Sequence, residues 1–307
     1  MYPPISPKRK LFLNAGQLKD KTPIRVYYEM SGNLDGIPVI YLHGGPGDHT
    51  GPPLRRLFNP AIYNIVMMDQ RGCGRSTPRN HLEKNTTAHL LKDIAAIQAT
   101  LGRKVVLAGG SWGTSLAMLY AIKYPTRVAA LILRGVYDLS GDTDVLDAVF
   151  PDKKAAMDKL IPKRSQTKQV TRVLAGKASA TRRKLVKLLA DPASIHVISA
   201  PQKSTYADDF TLSIVGDHYE ANHYFVPRNT IYKGLHKIKK IPTFMVNGRF
   251  DVVTPAEIAY KVCSKLNVCS LEFVKGGHTY HEPEVSEALT RASDRCAKML
   301  SGASGKE

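Results

Sequence analysis

The feature that most restricts the fold is a serine held between a strand-type run and a helix-type run. The chain reads VVLA before Gly109-Gly110-Ser111-Trp112-Gly113 and TSLAMLYAIKYP after it. A G-x-S-x-G in this strand–turn–helix context is typical of a nucleophile elbow, whose tight turn requires flanking glycines. The turn would lift Ser111 to the carboxyl edge of a sheet, where helix N–H groups face a developing oxyanion. Ser111 is therefore the candidate nucleophile.

Other apolar runs alternate with helical segments along the chain. The strand-type runs are TPIRVYYEM, GIPVIYLHGG, AIYNIVMMDQ, RVAALILRG, IPTFMVNG and SLEFVKGG, and the helical ones include TTAHLLKDIAAIQATLG and PEVSEALTRASDRCAKML. Strands that are apolar throughout and alternate with helices form a mostly parallel sheet covered on both faces. We expect an α/β fold with such a core over residues 1–139 and 236–307. Short helical segments break the rhythm at 140–235, which predicts a helical cap inserted between core strands.

Two more residues complete a candidate catalytic triad. A serine hydroxyl needs a base, and in this fold the partners follow in the order Ser, Asp, His. Asp251 ends the run IPTFMVNGRF, and His278 follows SLEFVKGG. Both would stand just past strand carboxyl ends, where parallel sheets place their ligands. Asp251 alone would more often cap a helix and His278 is one of ten histidines, but with Ser111 they predict a triad.

The reaction also needs N–H donors for the oxyanion. One is the backbone N–H of Trp112, the residue after the serine. The other is expected from the loop after an earlier strand, and His43-Gly44-Gly45-Pro46-Gly47 follows such a run. Glycines there allow the backbone to approach a substrate carbonyl closely. An ordinary tight turn is the alternative interpretation of these five residues.

Charge and hydropathy limit the other classes of function. The formal net charge of +18 would attract nucleic acid, but no RRM, zinc-finger or helix-turn-helix motif accompanies it, so we expect no specific nucleic-acid binding. No apolar run approaches the length of about 18 residues that spans a membrane, and the N-terminus lacks the apolar core of a secretory signal. We therefore expect a cytoplasmic protein without a membrane partner.

The four cysteines predict neither a zinc site nor a disulfide framework. Cys73, Cys263, Cys269 and Cys296 contain no C-x-x-C pair. We expect reduced thiols, since a Cys263–Cys269 bridge would require an oxidising compartment. Neither a metal nor an organic cofactor is expected.

Taken together, the motifs resemble those of proline iminopeptidases, the prolyl aminopeptidases of the α/β-hydrolase fold. They are HGGPG (43–47), DQRGCGRS (69–76), GGSWG (109–113), GRFD (248–251) and GGH (276–278), and the similarity is weakest at about 141–205. The resemblance implies release of an N-terminal proline from a small peptide with a free N-terminus, through an acyl-enzyme. It assigns the nucleophile, orienting acid and base to Ser111, Asp251 and His278, and the oxyanion donors to Gly45 and Trp112.

The resemblance further implies a carboxylate pocket for the substrate amine. Arg134 matches an arginine that helps to hold the acidic cluster, and Tyr137 matches an aromatic of the proline pocket. Ala221 stands where the family has a glutamate, directly before NHYF, and the tryptophan-rich W-x-x-W-E stretch is absent. The predicted carboxylate is then Glu220, with Asp208, Asp209 and Asp217 as further candidates.

Two other functions remain open on the sequence alone. A related serine hydrolase with a diverged cap could act on esters or amides of small acyl groups, and a noncatalytic protein could use the same scaffold for binding. Dehalogenase and epoxide hydrolase chemistry is excluded because it would place an aspartate at position 111. The histidine- and tyrosine-rich stretch at 216–227 is interpreted as the edge of the substrate pocket rather than a metal site or plain core packing.

Overall fold

The computed structural model describes residues 1–139 and 211–303, together with four isolated positions between them, 155, 159, 180 and 184. Among these residues, eight strands form one sheet in the order β1-β2-β4-β3-β5-β6-β7-β8. The strands are β1 (Arg9–Gln17), β2 (Pro23–Gly32), β3 (Ile37–Leu42), β4 (Tyr63–Met68), β5 (Val105–Gly110), β6 (Val128–Arg134), β7 (Thr243–Gly248) and β8 (Cys269–Val274). Strands β1 and β2 pair antiparallel, as do β2 and β4, and every later pair is parallel.

Helices cover both faces of this sheet. They are α1 (Pro52–Arg55), α2 (Thr87–Leu101), α3 (Trp112–Lys123), α4 (Thr211–Ala221), α5 (Thr230–Ile238), α6 (Ala256–Cys263) and α7 (Pro283–Ala303). On one face, buried side chains such as Leu90, Leu116 and Ile231 form a single apolar core with the sheet. On the other face, Leu54 and Leu289 belong to a second core. Strands β3 to β7 are almost entirely buried, which explains why they are apolar throughout, and the sheet confirms the predicted mostly parallel α/β architecture.

Strand β1 is one element that the sequence analysis did not predict. Its inward residues Leu11, Leu13 and Ala15 alternate with exposed ones, and Phe12 points outward. Such period-two alternation is the mark of a half-covered edge strand. The basic residues at its start obscured this pattern.

Only the end of the predicted cap can be compared with the structure. Residues 140–210 lie outside the described residues, apart from the four isolated positions. The described remainder is helical, with α4 followed by a short 3-10 turn at His223–Phe225 and then by α5. The predicted boundary after residue 235 falls inside α5, whose Gly234 packs against Ile122 of α3. The division at 140 and 235 stays a prediction.

A buried network of ion pairs supports the loops after β3 and β4. Glu29 of β2 accepts hydrogen bonds from Arg55 and, over 2.8 Å, from Arg75. Arg75 also donates to Asp69 over 2.7 Å, and Asp69 accepts from the Thr50 hydroxyl over 2.6 Å. Burial opposes ionisation of Asp69, but Arg75 holds the pKa of this carboxyl below its usual value. The motif DQRGCGRS therefore has a structural role: it anchors the loop that follows β3.

The cysteines differ from expectation at one place. Cys263, the last residue of α6, and Cys269, the first of β8, form a disulfide across a separation of six residues. The expected reduced pair is therefore wrong in this structure, and the geometric reason is that the turn from α6 to β8 brings their Cα atoms within 5.6 Å. Cys73 and Cys296 are buried and take part in no disulfide.

Among the described residues, no helix is long and apolar enough to cross a membrane.

Candidate active site

Ser111 occupies a strained turn between β5 and α3. Its backbone has φ 55° and ψ −127°, a conformation that residues other than glycine rarely adopt. A Cβ on Gly109 would come within 2.5 Å of the Gly113 carbonyl oxygen, and one on Gly113 within 2.0 Å of the Leu42 carbonyl oxygen. Both positions therefore require glycine because a side chain would collide with a neighbouring carbonyl oxygen, and not only because the turn needs a flexible backbone. The turn has the geometry that the G-x-S-x-G motif predicts.

Asp251 and His278 meet past the ends of β7 and β8. Nδ1 of His278 lies 2.9 Å and 3.1 Å from the two carboxylate oxygens of Asp251, and both side chains are almost fully buried. Thr254 donates its hydroxyl to Asp251 over 2.8 Å, and its backbone N–H also donates to that carboxylate over 2.8 Å. Burial opposes ionisation, but His278 and Thr254 hold the pKa of Asp251 below its usual value. This pair can orient the imidazole and stabilise its protonated form.

The imidazole also lies against the end of strand β6. A Cβ on Gly135 would come within 3.1 Å of the His278 Cε1 atom and 3.0 Å of the Thr254 hydroxyl. Gly135 has φ 58°, so this position favours glycine for two reasons. In the described part of the chain no hydrogen bond joins the Ser111 hydroxyl to His278. Such bonds are often long in free enzymes and tighten with substrate.

The HGGPG loop is tied to the serine turn by a glutamine. The backbone N–H of Gln70 donates to Nε2 of His43 over 2.9 Å, and its side-chain amide donates to the His43 carbonyl oxygen over 2.9 Å. The indole N–H of Trp112 donates to the Gln70 side-chain oxygen over 2.9 Å. Burial lowers the pKa of His43, which favours the neutral ring that this acceptor role requires. A Cβ on Gly44 would lie 3.2 Å from the Ser111 Cβ.

These contacts place Gly44, the residue before Gly45, against the serine turn, while the oxyanion role of Gly45 and Trp112 stays a prediction. Gly45 follows Gly44 in a loop that touches Ser111, and Trp112 starts helix α3. Gln70, which joins the two, was not among the predicted site residues. The DQRGCGRS motif contains this glutamine, but the resemblance to the family assigns it no role.

Helix α4 rests on this loop. A Cβ on Gly216 would lie 3.1 Å from the carbonyl oxygen of Pro46. The Tyr219 ring lies 5.4 Å from that of Trp112, and the Tyr224 ring stacks on the same indole at 5.4 Å. The stretch at 216–227 therefore packs directly over the residue that follows the candidate nucleophile. Its interpretation as the edge of a pocket is compatible with this placement.

The carboxylates of α4 lie in unlike surroundings. Asp217 is buried, and its Oδ2 atom has no hydrogen-bond partner. Burial, with a contribution from the charge of Glu220, raises the pKa of Asp217 to about 8. Glu220 remains accessible to solvent, although the surrounding protein removes enough water to raise the pKa of its carboxyl. Asp208 and Asp209 lie outside the described residues.

Tyr137 reaches this acidic region. Its hydroxyl donates to the Tyr224 hydroxyl over 3.1 Å, and the two rings meet edge to face. Burial raises the pKa of Tyr137, and the charge of Glu220 acts in the same direction. Tyr137 and Glu220 are thus close enough to interact, as a shared pocket requires.

Arg134 contacts the loop of His278 rather than an acidic side chain. Its buried guanidinium donates a hydrogen bond to the carbonyl oxygen of His278, and no ion pair to Glu220 is present among the described residues. The predicted part of Arg134 in substrate binding stays a prediction. Within the same described residues no group of His, Cys, Asp and Glu side chains is arranged to hold a metal ion.

Comparison with known proteins agrees with this architecture. A family model described as the alpha/beta hydrolase fold matches residues 37–285. A proline iminopeptidase of Neisseria meningitidis serogroup B is 33% identical over 305 residues, which cover 91% of this chain and 94% of that protein. A proline iminopeptidase of Arabidopsis thaliana is 32% identical over 324 residues, covering 98% of this chain and 83% of that protein.

Solved structures with lower identity share the fold. A thermophilic esterase from Thermogutta terrifontis aligns with a TM-score of 0.60 and 19% identity, over 95% of this chain and 99% of its own. A haloalkane dehalogenase loop variant from Bradyrhizobium elkanii aligns with a TM-score of 0.67 and 16% identity, over 97% and 100%. At such identities the likeness concerns the fold alone. With the family match, it confirms the predicted fold class.

Proposed function

Because this chain belongs to the proline iminopeptidase family of the α/β-hydrolase fold, we propose that it is a serine aminopeptidase that releases proline from the N-terminus of small peptides. The observation that carries the proposal is the buried Asp251–His278 pair, which lies at the same sheet edge as the strained Ser111 turn. A buried carboxylate bonded to Nδ1 leaves Nε2 of His278 as the proton acceptor. A structural ion pair would not need a serine elbow beside it.

The proposed reaction has two steps. Ser111 Oγ attacks the carbonyl carbon of the N-terminal proline while His278 Nε2 takes the hydroxyl proton. The tetrahedral oxyanion accepts hydrogen bonds from the N–H groups of Gly45 and Trp112. His278 then gives its proton to the leaving amine, the C–N bond breaks, and prolyl-Ser111 remains. Water, deprotonated by His278, attacks this ester, and His278 returns the proton to Ser111 Oγ as the C–O bond breaks and proline leaves.

The free amine of the substrate is received by the carboxylates of α4. A substrate with an ammonium group must exchange water for a negative partner on entering a buried site. Glu220 is exposed to solvent, and Asp217 offers a buried oxygen without a partner, which can bind the ammonium when its carboxyl gives up its proton. Asp217 and Ala221 are four residues apart and share one helix face, so Asp217 places a carboxylate on the face where the family was expected to carry its glutamate. Tyr137 lines the same space.

A pair of matched substrates tests this proposal. Proline anilide carries the ammonium, whereas N-acetylproline anilide has the same scissile bond without it. We expect turnover of the first, with Glu220→Gln raising its KM about tenfold, the scale of one lost charged hydrogen bond. Hydrolysis of the acetylated compound and of simple esters alone would replace this proposal with the alternative function, a small-acyl esterase.

The serine itself is tested with a fluorophosphonate probe. Labelling of the wild-type protein should disappear in Ser111→Ala, since the hydroxyl is the atom that reacts. Persistent labelling of the variant would overturn the assignment of the nucleophile. A separate control for folding is the circular dichroism spectrum of Ser111→Ala, which should match that of the wild type.

A further inference from the structure

We propose that Arg134 is a positioning residue that fixes the base His278 relative to the nucleophile Ser111. The inference rests on the proposed serine mechanism but not on the specificity for proline. It differs from the part in substrate binding that the family resemblance implies for this arginine.

The backbone of Arg134 holds the nucleophile turn. Its carbonyl oxygen accepts a hydrogen bond from the N–H of Ser111 over 2.9 Å. Arg134 is also the last residue of β6, where it pairs with Gly110 of β5 on one side and with Val246 of β7 on the other. The residue therefore stands between the strand that carries the nucleophile and the strand that leads to Asp251.

The side chain of the same residue holds the loop of the base. Nη1 donates to the carbonyl oxygen of His278. The same loop is fixed just before His278, because the N–H of Gly277 donates to the Glu282 carboxylate over 2.7 Å. The loop is thus bonded to buried side chains at the peptide group between Gly276 and Gly277 and at the carbonyl group of His278. The second of these contacts leads, through Arg134, directly to Ser111.

Gly110 makes room for this arrangement. A Cβ at this position would lie 2.1 Å from Nη2 and 3.0 Å from Nε of Arg134. Position 110 is the variable residue of the G-x-S-x-G motif, so the elbow itself does not require a glycine there. The structure gives a different reason: the guanidinium lies flat against the backbone just before Ser111.

Stability does not explain why an arginine is buried here. Arg134 is 7% exposed, and among the described residues it forms no salt bridge, while its Nε atom has no hydrogen-bond partner. Burying a charged group that leaves its Nε–H without a partner is unfavourable, and apolar side chains of similar volume often replace buried charged groups without loss of stability. A buried group that lowers stability and lies beside two reacting residues is typical of a residue that is kept for its function.

The consequence for catalysis is geometric. The proton passes from Ser111 to His278, and displacement of such a pair by about 1 Å lowers rates by about 100-fold. In this proposal Arg134 contacts neither the substrate carbonyl nor the proton that is transferred. It acts through the backbone of His278 and the turn of Ser111.

The test measures the rate at which a fluorophosphonate reacts with Ser111, which forms a P–O bond and releases fluoride, scored per folded molecule; this reaction uses the same nucleophilic attack as acylation by a substrate. Arg134→Met keeps the alkyl stem and should slow this reaction, and with it acylation, about 100-fold, with a matching fall in kcat and a KM for proline anilide within about twofold. Arg134→Lys should recover part of the rate. Gly110→Ala keeps the arginine in the sequence, but its added methyl group fills the space that the guanidinium occupies. This variant should show the same fall in kcat at constant KM. Arg127→Met, an exposed position before the other end of β6, serves as the matched control.

The outcomes separate the inference from the proposed function. Wild-type acylation rates in Arg134→Met and Gly110→Ala would overturn it, as would a raised KM at constant kcat, which would return Arg134 to substrate binding. Should Arg134→Met fail to fold, Gly110→Ala decides alone. A wild-type protein that does not react with the probe would instead overturn the serine mechanism, whatever the variants do.

Discussion

Gly216 of helix α4 lies against the carbonyl oxygen of Pro46, so closely that a methyl group there would approach this oxygen to 3.1 Å. The contact joins the helix that carries the described candidate acids, Asp217 and Glu220, to the loop that carries the proposed oxyanion donor Gly45. Pro46 directly follows Gly45, so a shift of the helix would displace the Gly45 N–H. In the proposed mechanism, substrate recognition and transition-state stabilisation therefore share one steric contact.

Enlarging position 216 tests this contact. Gly216→Val should push α4 and the Pro46 peptide apart and lower kcat about tenfold, because oxyanion donors act only in one geometry. In Gly216→Ala the smaller contact is offset by a gain in helix propensity of about 0.5–1 kcal/mol, so its thermal stability should stay near that of the wild type. Steady-state kinetics and thermal melts provide both numbers. Unchanged kcat in the valine variant would show that the helix does not hold the loop.

Replacing Asp251 tests the orientation of the base. Asp251→Asn removes the negative acceptor at Nδ1 and favours the wrong tautomer of His278, so kcat should fall about 10³–10⁴-fold. Thr254→Val removes one hydrogen bond to the carboxylate and should cost less, about 3–10-fold, in line with a net value near 1 kcal/mol. Pre-steady-state acylation rates compare the two. Equal losses would indicate that Thr254 acts on the ring directly, through its 3.2 Å contact with Nδ1.

The buried Asp217 predicts an unusual dependence of stability on pH. Its raised pKa means that between about pH 4 and 8 the folded state keeps a proton that the unfolded chain has released. The free energy of unfolding therefore falls as pH rises across this window. Asp217→Asn lacks the penalty, and should be about 1–3 kcal/mol more stable than the wild type at pH 8 but equal to it at pH 4.

Thermal melts at the two pH values measure this difference, with the exposed Asp35→Asn as the matched control. Above about pH 8, where the wild-type carboxyl is ionised, the same Asp217→Asn variant should bind amine-bearing substrates more weakly. A variant that is less stable at pH 8 would show that Asp217 has a structural role instead.

Reduction of the Cys263–Cys269 disulfide should affect stability but not catalysis. Closing so short a loop contributes about 2 kcal/mol through the unfolded state, and the bridge lies at the start of β8, away from the end that leads to His278. A phosphine reductant should lower the melting temperature by several degrees with kcat unchanged, and the Cys263→Ser/Cys269→Ser double variant should not respond. Free thiols in protein purified without reductant would instead agree with the predicted cytoplasmic location.

The sequence allowed the catalytic groups to be predicted because each is tied to a local pattern. Ser111 lies in a contiguous motif, and Asp251 and His278 follow apolar strands whose carboxyl ends must meet at one sheet edge. The parallel sheet likewise follows from strands that are apolar throughout. These features need only periodicity and chain order.

The residues that the sequence analysis missed depend on distances across strands. Gln70 matters because it reaches both His43 and Trp112, and Gly110 because a side chain from β6 lies over it. Asp217 was one of four candidate acids until the helix showed it buried without a partner for one oxygen. No linear sequence pattern encodes these contacts between distant residues. Asp217 is buried and Glu220 exposed only because of how helix α4 is rotated against its neighbours, which the sequence does not specify.

The described acids of the proposed amine site both come from α4, whereas the nucleophile, base and orienting acid all follow strands of the central sheet. In the proposed mechanism, recognition of the substrate amine and cleavage of the bond are thus assigned to different parts of the chain, although the contact at Gly216 couples them. Natural drift or laboratory selection can alter the acids at 217 and 220 while Ser111, Asp251 and His278 are retained. A hydrolase built in this way can change its substrate specificity while it keeps its catalytic mechanism.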